Sequence, residues 1–238
     1  MEALPIETLF EDAALIAVQK PAGVTVIPAR NEPPETCLAK QLEASRRERL
    51  WVVHRIDRDT SGVVLFARTA EAHRKLSMAF EGRDVQKRYV AFTRGVPTPH
   101  EGSIDLPLHT ARKGRMRPAL PGESEALPSL SDYRVLIHRE SAIGPVALVE
   151  VRPKTGRQHQ IRVHLRAKEA PLLVDPLYGK CEQIAAEGLG TGSPAMSRLT
   201  LHARGITFRH PTDGHDVTID APLPSDLAAL ETWLRNGA

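Results

Sequence analysis

The chain has 238 residues, 41% hydrophobic and 26% charged, with 32 lysines and arginines against 29 aspartates and glutamates. That balance belongs to a globular protein and excludes a disordered or collagen-like chain, while a net charge of +3 does not by itself demonstrate a nucleic-acid partner, which needs clustered charge. Two distant cysteines, Cys37 and Cys181, give no disulfide framework or zinc motif; residues 1–10 carry no secretory signal and no apolar run reaches membrane-span length, so a cytoplasmic protein without a membrane partner is expected.

In chain order, Leu15, Ile16, Ala17 and Val18 form an apolar run of strand length, stopped by Pro21 and Gly23. Val24 and Val26 alternate around Thr25 as a second short strand, and residues 28–35, with three prolines, form a loop. A helix follows near Thr36, with Leu38 and Leu42 on one face and Arg46, Arg47 and Arg49 at its end, where cations suit the helix dipole. Trp51, Val52 and Val53 lead into a charged loop, and residues 63–67 read as a buried strand. Thr69 caps a helix in which Ala72, Leu76, Ala79 and Phe80 share a face, closed at Gly82. Residues 87–93 alternate as a strand, with Tyr89, Ala91 and Thr93 on one face and Val90 and Phe92 on the other.

Residues 96–130 are rich in proline and glycine and read as a long surface excursion carrying Arg112, Lys113, Arg115 and Arg117 with no acid nearby. Two strands, 133–138 and 146–151, turn at Gly144 and Pro145. Beyond Gly156, Ile161, His164 and Leu165 recur at helical spacing. Residues 187–194 read as flexible, strands follow at 199–208 and 217–219, and Leu227, Leu230 and Leu234 mark a final helix. Strands in neighbouring pairs as well as alternating with helices predict an α+β fold: a mixed, largely antiparallel central sheet flanked by helices and loops. No nucleotide-binding fingerprint is present.

The densest polar segment is His54-Arg55-Ile56-Asp57-Arg58-Asp59-Thr60-Ser61-Gly62, set between two apolar strands. A generic loop of this kind would be a solvated turn with local ion pairs, but anchorage on rigid strands at a sheet's end is also where sites are built. Asp57 lies between Arg55 and Arg58, and guanidinium neighbours favour an ionised carboxylate, suited to a nucleophile or base and not to a general acid. The second segment runs from Lys154 to Leu165. Thr155 is expected to cap a helix, with Gln158 as its capping-box partner. Arg157, Arg162 and Arg166 with His159 and His164 make either an exposed basic helix or an element that binds phosphate and pairs with a carboxylate. His159 and His164 do not share a helical face, so no metal site is expected.

These segments resemble the RluA-type RNA pseudouridine synthases. Residues 54–62 resemble that family's H-R-L-D-R-x-T-S-G loop, with Ile56 for the usual leucine. Lys20-Pro21-Ala22-Gly23 matches its K-P-A-G turn, Lys87-Arg88-Tyr89 its K-x-Y strand, residues 155–165 its T-G-R-x-H-Q-I-R-x-H-L segment, residues 175–179 its D-P-x-Y-G loop and Leu201-His202-Ala203 its L-H-A strand. Departures are Val174, where the family often has glycine, and Ser131, near a common threonine.

The resemblance implies a pseudouridine synthase fold with a catalytic cleft across the sheet, residues 1–238 forming one catalytic domain without a separate N-terminal RNA-binding domain. It implies isomerisation of uridine in ribosomal or transfer RNA without a cofactor; a single-stranded loop is the expected target because its bases splay at less cost, and a monomer is expected because no exposed apolar helix stripe stands out. The target base is extruded from its stack; Arg55 moves into the vacated space, Asp57 acts on the flipped nucleotide, Arg162 pairs with Asp57, and Tyr89 stacks on or hydrogen-bonds the base. Whether Asp57 attacks the uracil, attacks the sugar or removes a sugar proton stays open. His54, Arg58, Thr60, Arg157, His159 and Gln160 are expected at the RNA, and the basic clusters at 46–49 and 112–117 at its phosphates. A binding-only relative would lack the carboxylate, whereas Asp57, Tyr89 and Arg162 are all present. A hydrolase using Asp57 with a histidine leaves the other matched segments unexplained.

Overall fold

The computed structural model describes residues 6–30 and 32–236, and all of their side chains except that of Lys113. The N-terminal reading over residues 1–5 lies outside the described residues. In chain order, the described elements are β1 (Thr8–Glu11), β2 (Leu15–Lys20), α1 (Leu38–Arg46), β3 (Trp51–Val52), β4 (Ser61–Ala67) and α2 (Ala70–Gly82). There follow β5 (Gln86–Arg94), β6 (Glu101–Asp105), β7 (Leu108–Thr110), β8 (Met116–Pro118), β9 (Leu130–Arg139), β10 (Val146–Pro153) and α3 (Gln160–Ala167). The chain closes with β11 (Leu201–Arg209), β12 (Asp216–Asp220) and α4 (Ser225–Arg235). The class is α+β, with antiparallel strand pairing throughout the registers below. Among the described residues no helix is long and apolar enough to cross a membrane.

Two compact units divide the chain. The first combines Met1–Lys87 with Ala203–Pro222. Its strands lie in the order β1-β2-β4-β11, with β12 on β11 and β3 along the end of β4. The β2–β4 pair is antiparallel from Leu15↔Ala67 to Lys20↔Gly62, and β4 is buried along its whole length, as a central strand reads. Thr69 caps α2, accepting the Ala72 N–H at 3.1 Å, and the left-handed residue that ends the helix is Arg83, one position beyond the expected Gly82. Residues 24–26 are not the expected short strand. Their carbonyls serve as caps: Thr25 O accepts the Leu38 N–H at 2.8 Å and Val26 O that of Ala39 at 3.1 Å, satisfying donors that the first turn of α1 leaves open.

The second unit combines Arg88–His202 with Leu223–Ala238. Its strands lie in the order β5-β10-β9-β6, antiparallel with Val151↔Tyr89, Val151↔Tyr133 and Gly102↔Tyr133 in register. The alternation read in β5 holds: Val90 and Phe92 pack with Leu227, Leu230, Trp233 and Leu234 of α4, while Tyr89 and Ala91 pack with Ile161 and Leu165 of α3. One helix therefore covers each face. The excursion at 96–130 holds more order than its composition suggests, because β6 pairs with β9 and β7 with β8; these strands are short and mostly polar, so no period marks them. Residues 187–194 are likewise folded, with Leu189 1% and Ser193 3% exposed and Thr191 O accepting the Trp233 indole N–H at 3.1 Å.

Gly62 is where β4 meets β11. Its φ is +122°, and a Cβ there would stand 2.2 Å from the Ala203 carbonyl oxygen. Gly62→Ala is expected to lower the unfolding free energy by about 3 kcal/mol, from overpacking plus an unfavourable φ. Gly23→Ala, at φ +84° with nothing within 4 Å, should lose only about 1 kcal/mol. Urea unfolding of both variants checks the contrast.

Candidate active site

The loop that carries Asp57 joins β3 to β4 in the first unit. Its anchor is Lys20, at the end of β2 and fully buried. The Lys20 ammonium donates to Pro21 O at 2.8 Å, Val24 O at 2.6 Å and Arg58 O at 2.7 Å. A buried ammonium is tolerated only when its donors are met in this way. Arg58 O also accepts the Gly23 N–H at 3.0 Å, and Arg58 Nε returns a bond to Gly23 O at 3.0 Å. The turn at residues 20–23 and the loop are thus laced together by two side-chain donors and one backbone N–H, all bonded to backbone carbonyls. Asp57 itself is half-buried, its carbonyl accepting the Thr60 N–H at 3.2 Å.

The two arginines expected to flank Asp57 differ. Arg55 is exposed. Arg58 directs its guanidinium to Gly23 O and to the Glu32 carboxylate, at the turn of the loop. Ile56 is buried beneath the loop, and Thr60 is buried too, its hydroxyl lacking a hydrogen-bond partner among the described residues.

His54 extends the β3–β4 pairing with a side chain. After Val52↔Phe66 the chain leaves the sheet, and the Leu65 N–H, next along β4, donates to His54 Nε2 at 2.9 Å. The imidazole stacks on Phe80 of α2, centroids 4.6 Å apart. Burial, helped by the Lys87 charge, pushes its pKa from 6.5 down to about 3, so the ring is neutral and accepts through Nε2. Burial likewise lowers Lys87 to about 8, with the Arg83 charge adding to the effect.

In the second unit, α3 begins at Gln160 behind His159, which sits in the left-handed region at φ 53°. Thr155 does not cap this helix. Its hydroxyl accepts the Leu130 N–H at 3.0 Å and donates to Gln160 Oε1 at 2.7 Å. Gln160 Nε2 donates to Leu130 O at 3.0 Å and Ser131 Oγ at 2.9 Å. Ser131 Oγ lies 3.0 Å from His164 Nδ1, and His164 Nε2 3.1 Å from Leu106 O. A carbonyl only accepts, so Nε2 carries the His164 proton and Nδ1 accepts from Ser131. Burial holds His164 below its ordinary pKa, in keeping with a neutral ring. Gln160 is therefore an interior brace between α3 and β9, and Arg157 and His159, both half-buried, are the expected contact residues beside it that retain surface.

Arg162 points inward from α3. Its Nε and Nη2 meet Asp175 Oδ2 and Oδ1 at 2.9 and 2.7 Å, with the two residues 6% and 1% exposed. Asp175 Oδ1 also accepts the N–H groups of Leu177 and Tyr178 at 2.9 and 3.0 Å, and the Tyr178 ring lies beneath the guanidinium, 4.9 Å away. The Tyr178 hydroxyl accepts the Met116 N–H at 2.8 Å and meets His159 Nδ1 at 2.8 Å. Asp175 is thus a partner of Arg162 that the sequence reading did not name, although a buried D-P-L-Y-G carboxylate needs a cation. Tyr89 is half-buried on β5, opposite Val151.

The basic clusters are only partly available to phosphate. Arg46 is paired with Glu11 at 2.8 Å, and Arg117 with Glu123, an acid the sequence reading passed over. Arg47, Arg49, Arg112 and Arg115 are exposed, and the side chain of Lys113 lies outside the described residues.

A family described as RNA pseudouridylate synthase matches residues 14–167. The ribosomal large subunit pseudouridine synthase D of Zymomonas mobilis is 34% identical over 95% of this chain and 72% of its own length. Two solved human structures are also similar. RNA pseudouridylate synthase domain containing 4 has a TM-score of 0.74 at 28% identity, covering 96% of this chain and 93% of its own. Domain containing 1 has a TM-score of 0.75 at 27% identity, covering 96% and 89%.

Two outcomes follow from this geometry. Asp175→Asn removes the buried carboxylate that Arg162 meets at two atoms and should lower stability by about 3 kcal/mol, read by urea unfolding. For His54, the unfolded chain takes up a proton below pH 6.5 that the folded chain refuses until about pH 3. The stability it confers is present above pH 6.5 and lost as pH falls. Between pH 6 and 4, unfolding free energy should therefore fall more steeply in the wild type than in His54→Gln, by up to about 1.4 kcal/mol per pH unit.

Proposed function

Because the chain belongs to the RNA pseudouridylate synthase family, whose members isomerise uridine within RNA, we propose that Asp57 is the carboxylate with which it does so. The observation that carries this reading is the fixing of the Asp57 loop by Lys20 and Gly23, which holds a half-buried carboxylate on rigid backbone. In the reaction the bond from ribose to uracil N1 breaks, the ring turns, and a bond to C5 forms. C5 loses a proton and N1 gains one, so electrons and atoms balance within the substrate.

The roles divide between groups that meet the nucleotide and groups that hold them. Asp57 acts on the extruded nucleotide, Tyr89 stacks on its base, and exposed Arg55 enters the vacated space, where a planar guanidinium stacks on neighbouring bases. Arg162, fixed in orientation by Asp175, is the cation the resemblance assigns to Asp57. Arg157 and His159 contact the RNA. His54, Arg58, Thr60 and Gln160 are positioning residues: His54, Arg58 and Gln160 each have a polar group bonded to neighbouring protein, and Thr60 is buried. We further propose that the 238 residues act as one catalytic domain, as a cytoplasmic monomer, on a single-stranded loop whose bases splay at little cost. The name of the Zymomonas relative makes ribosomal RNA the first substrate to test and transfer RNA the second.

The test uses RNA labelled with tritium at uracil C5, prepared from cells lacking the enzyme. The wild type should release tritium to water. Asp57→Asn should release it about a thousandfold more slowly or not at all, with RNA affinity retained. Equal release by both proteins would remove Asp57 from the chemistry.

A further inference from the structure

The turn between β11 and β12 holds a cluster that uridine isomerisation does not use. His210 and His215 close it: the His210 N–H donates to His215 O at 2.8 Å, and Gly214 donates back to His210 O at 2.9 Å. This pairing stacks the two imidazoles, centroids 4.9 Å apart. Asp213 lies between them, its Oδ1 2.5 Å from His215 Nδ1 and 3.4 Å from His210 Nδ1.

His210 is 7% exposed and is oriented from behind by Asp12, whose Oδ2 stands 2.7 Å from Nε2. A carboxylate accepts, so Nε2 carries the proton and Nδ1 keeps its lone pair on the Asp213 side. The Thr212 N–H, 3.3 Å from the same Nδ1, agrees with that tautomer and is a long bond to give up. Asp12 is held in turn by the N–H groups of Ala14 and Leu15, which its Oδ1 accepts at 2.7 and 2.9 Å. A histidine fixed by a carboxylate on one ring nitrogen, with the other turned to further ligands, is how metal-ligating histidines are oriented.

The spacing also fits. His210, Asp213 and His215 each offer one ligand atom, all within 4.8 Å of one another. Two ligands about 2.0–2.1 Å from one tetrahedral ion stand about 3.4 Å apart, the separation seen between His210 and Asp213. His215 and Asp213 are 58% and 62% exposed, so their contact opens by side-chain rotation at the surface.

We propose that His210, Asp213 and His215 form a binding site for a divalent transition-metal ion of the zinc type, with solvent completing the coordination. Two imidazoles with one carboxylate select zinc, nickel or copper over magnesium or calcium. Binding takes His215 in the neutral tautomer that carries its proton on Nε2, which leaves the Nδ1 lone pair for the ion. The ion fastens a turn that Lys75 of α2 already holds through Pro211 O at 2.8 Å.

The experiment titrates the untagged full-length chain with zinc in competition with a chromophoric chelator. One ion per chain should bind. Asp12→Asn, which leaves all three ligands, should weaken binding about 10- to 100-fold, and His215→Ala by at least as much. His215 is exposed, so this variant should keep the wild-type circular dichroism spectrum. His138→Ala, which alters the His100–His138 pair elsewhere, should leave the affinity unchanged. Absence of stoichiometric zinc binding, or an affinity that His215→Ala leaves intact, overturns the proposal.

Discussion

A buried ammonium organises the loop on which the proposed chemistry depends. Lys20 ends an apolar strand and cannot reach water, so its charge must be met by backbone oxygens. Three carbonyls meet it, two from the turn that follows the strand and one from the loop that bears Asp57. Residues 38 positions apart are drawn together by this one group, and the bonds of Gly23 to the Arg58 carbonyl and to the Arg58 Nε–H close the same junction. The conformation of the Asp57 loop is therefore set largely from the interior, leaving exposed Arg55 outside that lacing.

The second unit solves a related problem by other means. Its helix α3 presents three polar side chains inward, Gln160, Arg162 and His164, and each meets a buried partner. Gln160 joins a chain of donors and acceptors that runs from Thr155 through Ser131 to His164. Arg162 meets a carboxylate that is itself held by two backbone N–H groups. Such networks are costly when partly satisfied and rigid when complete. A helix carrying Arg162, with Arg157 and His159 just ahead of it, is thus fixed against β9 and against the loop at residues 175–179.

Much of this was legible in the sequence where periodicity and burial agree. The apolar run of β2 and the helical faces of α2 and α4 could be read directly, and β5 was divided correctly between two cores. Short polar strands such as β7 and β8 have no period to read. The carbonyls of residues 24–26 act as helix caps, a backbone role that no side-chain pattern reveals. At the proposed site, the reading of Asp57, Tyr89 and Arg162 as the working residues comes from motif resemblance. It did not supply Lys20's role, because a lysine beside a proline turn reads as exposed until its burial is known. Asp175, Ser131 and Glu123 were missed for a like reason: their partners are distant in sequence or hidden by an irregular loop. Arg58 and Gln160 were placed at the RNA through the motifs they stand in, and the structure shows that each also has a partner within the protein.

The measurement that tests this account most directly is the turnover of Lys20→Met, a substitution that keeps the apolar stem and removes the ammonium. The variant should retain RNA affinity within about twofold, since no phosphate contact is touched. Its rate of tritium release should fall by about a hundredfold, the penalty of a carboxylate displaced by about 1 Å. A folded Lys20→Met protein that isomerises uridine at the wild-type rate would contradict the claim that this buried charge positions Asp57.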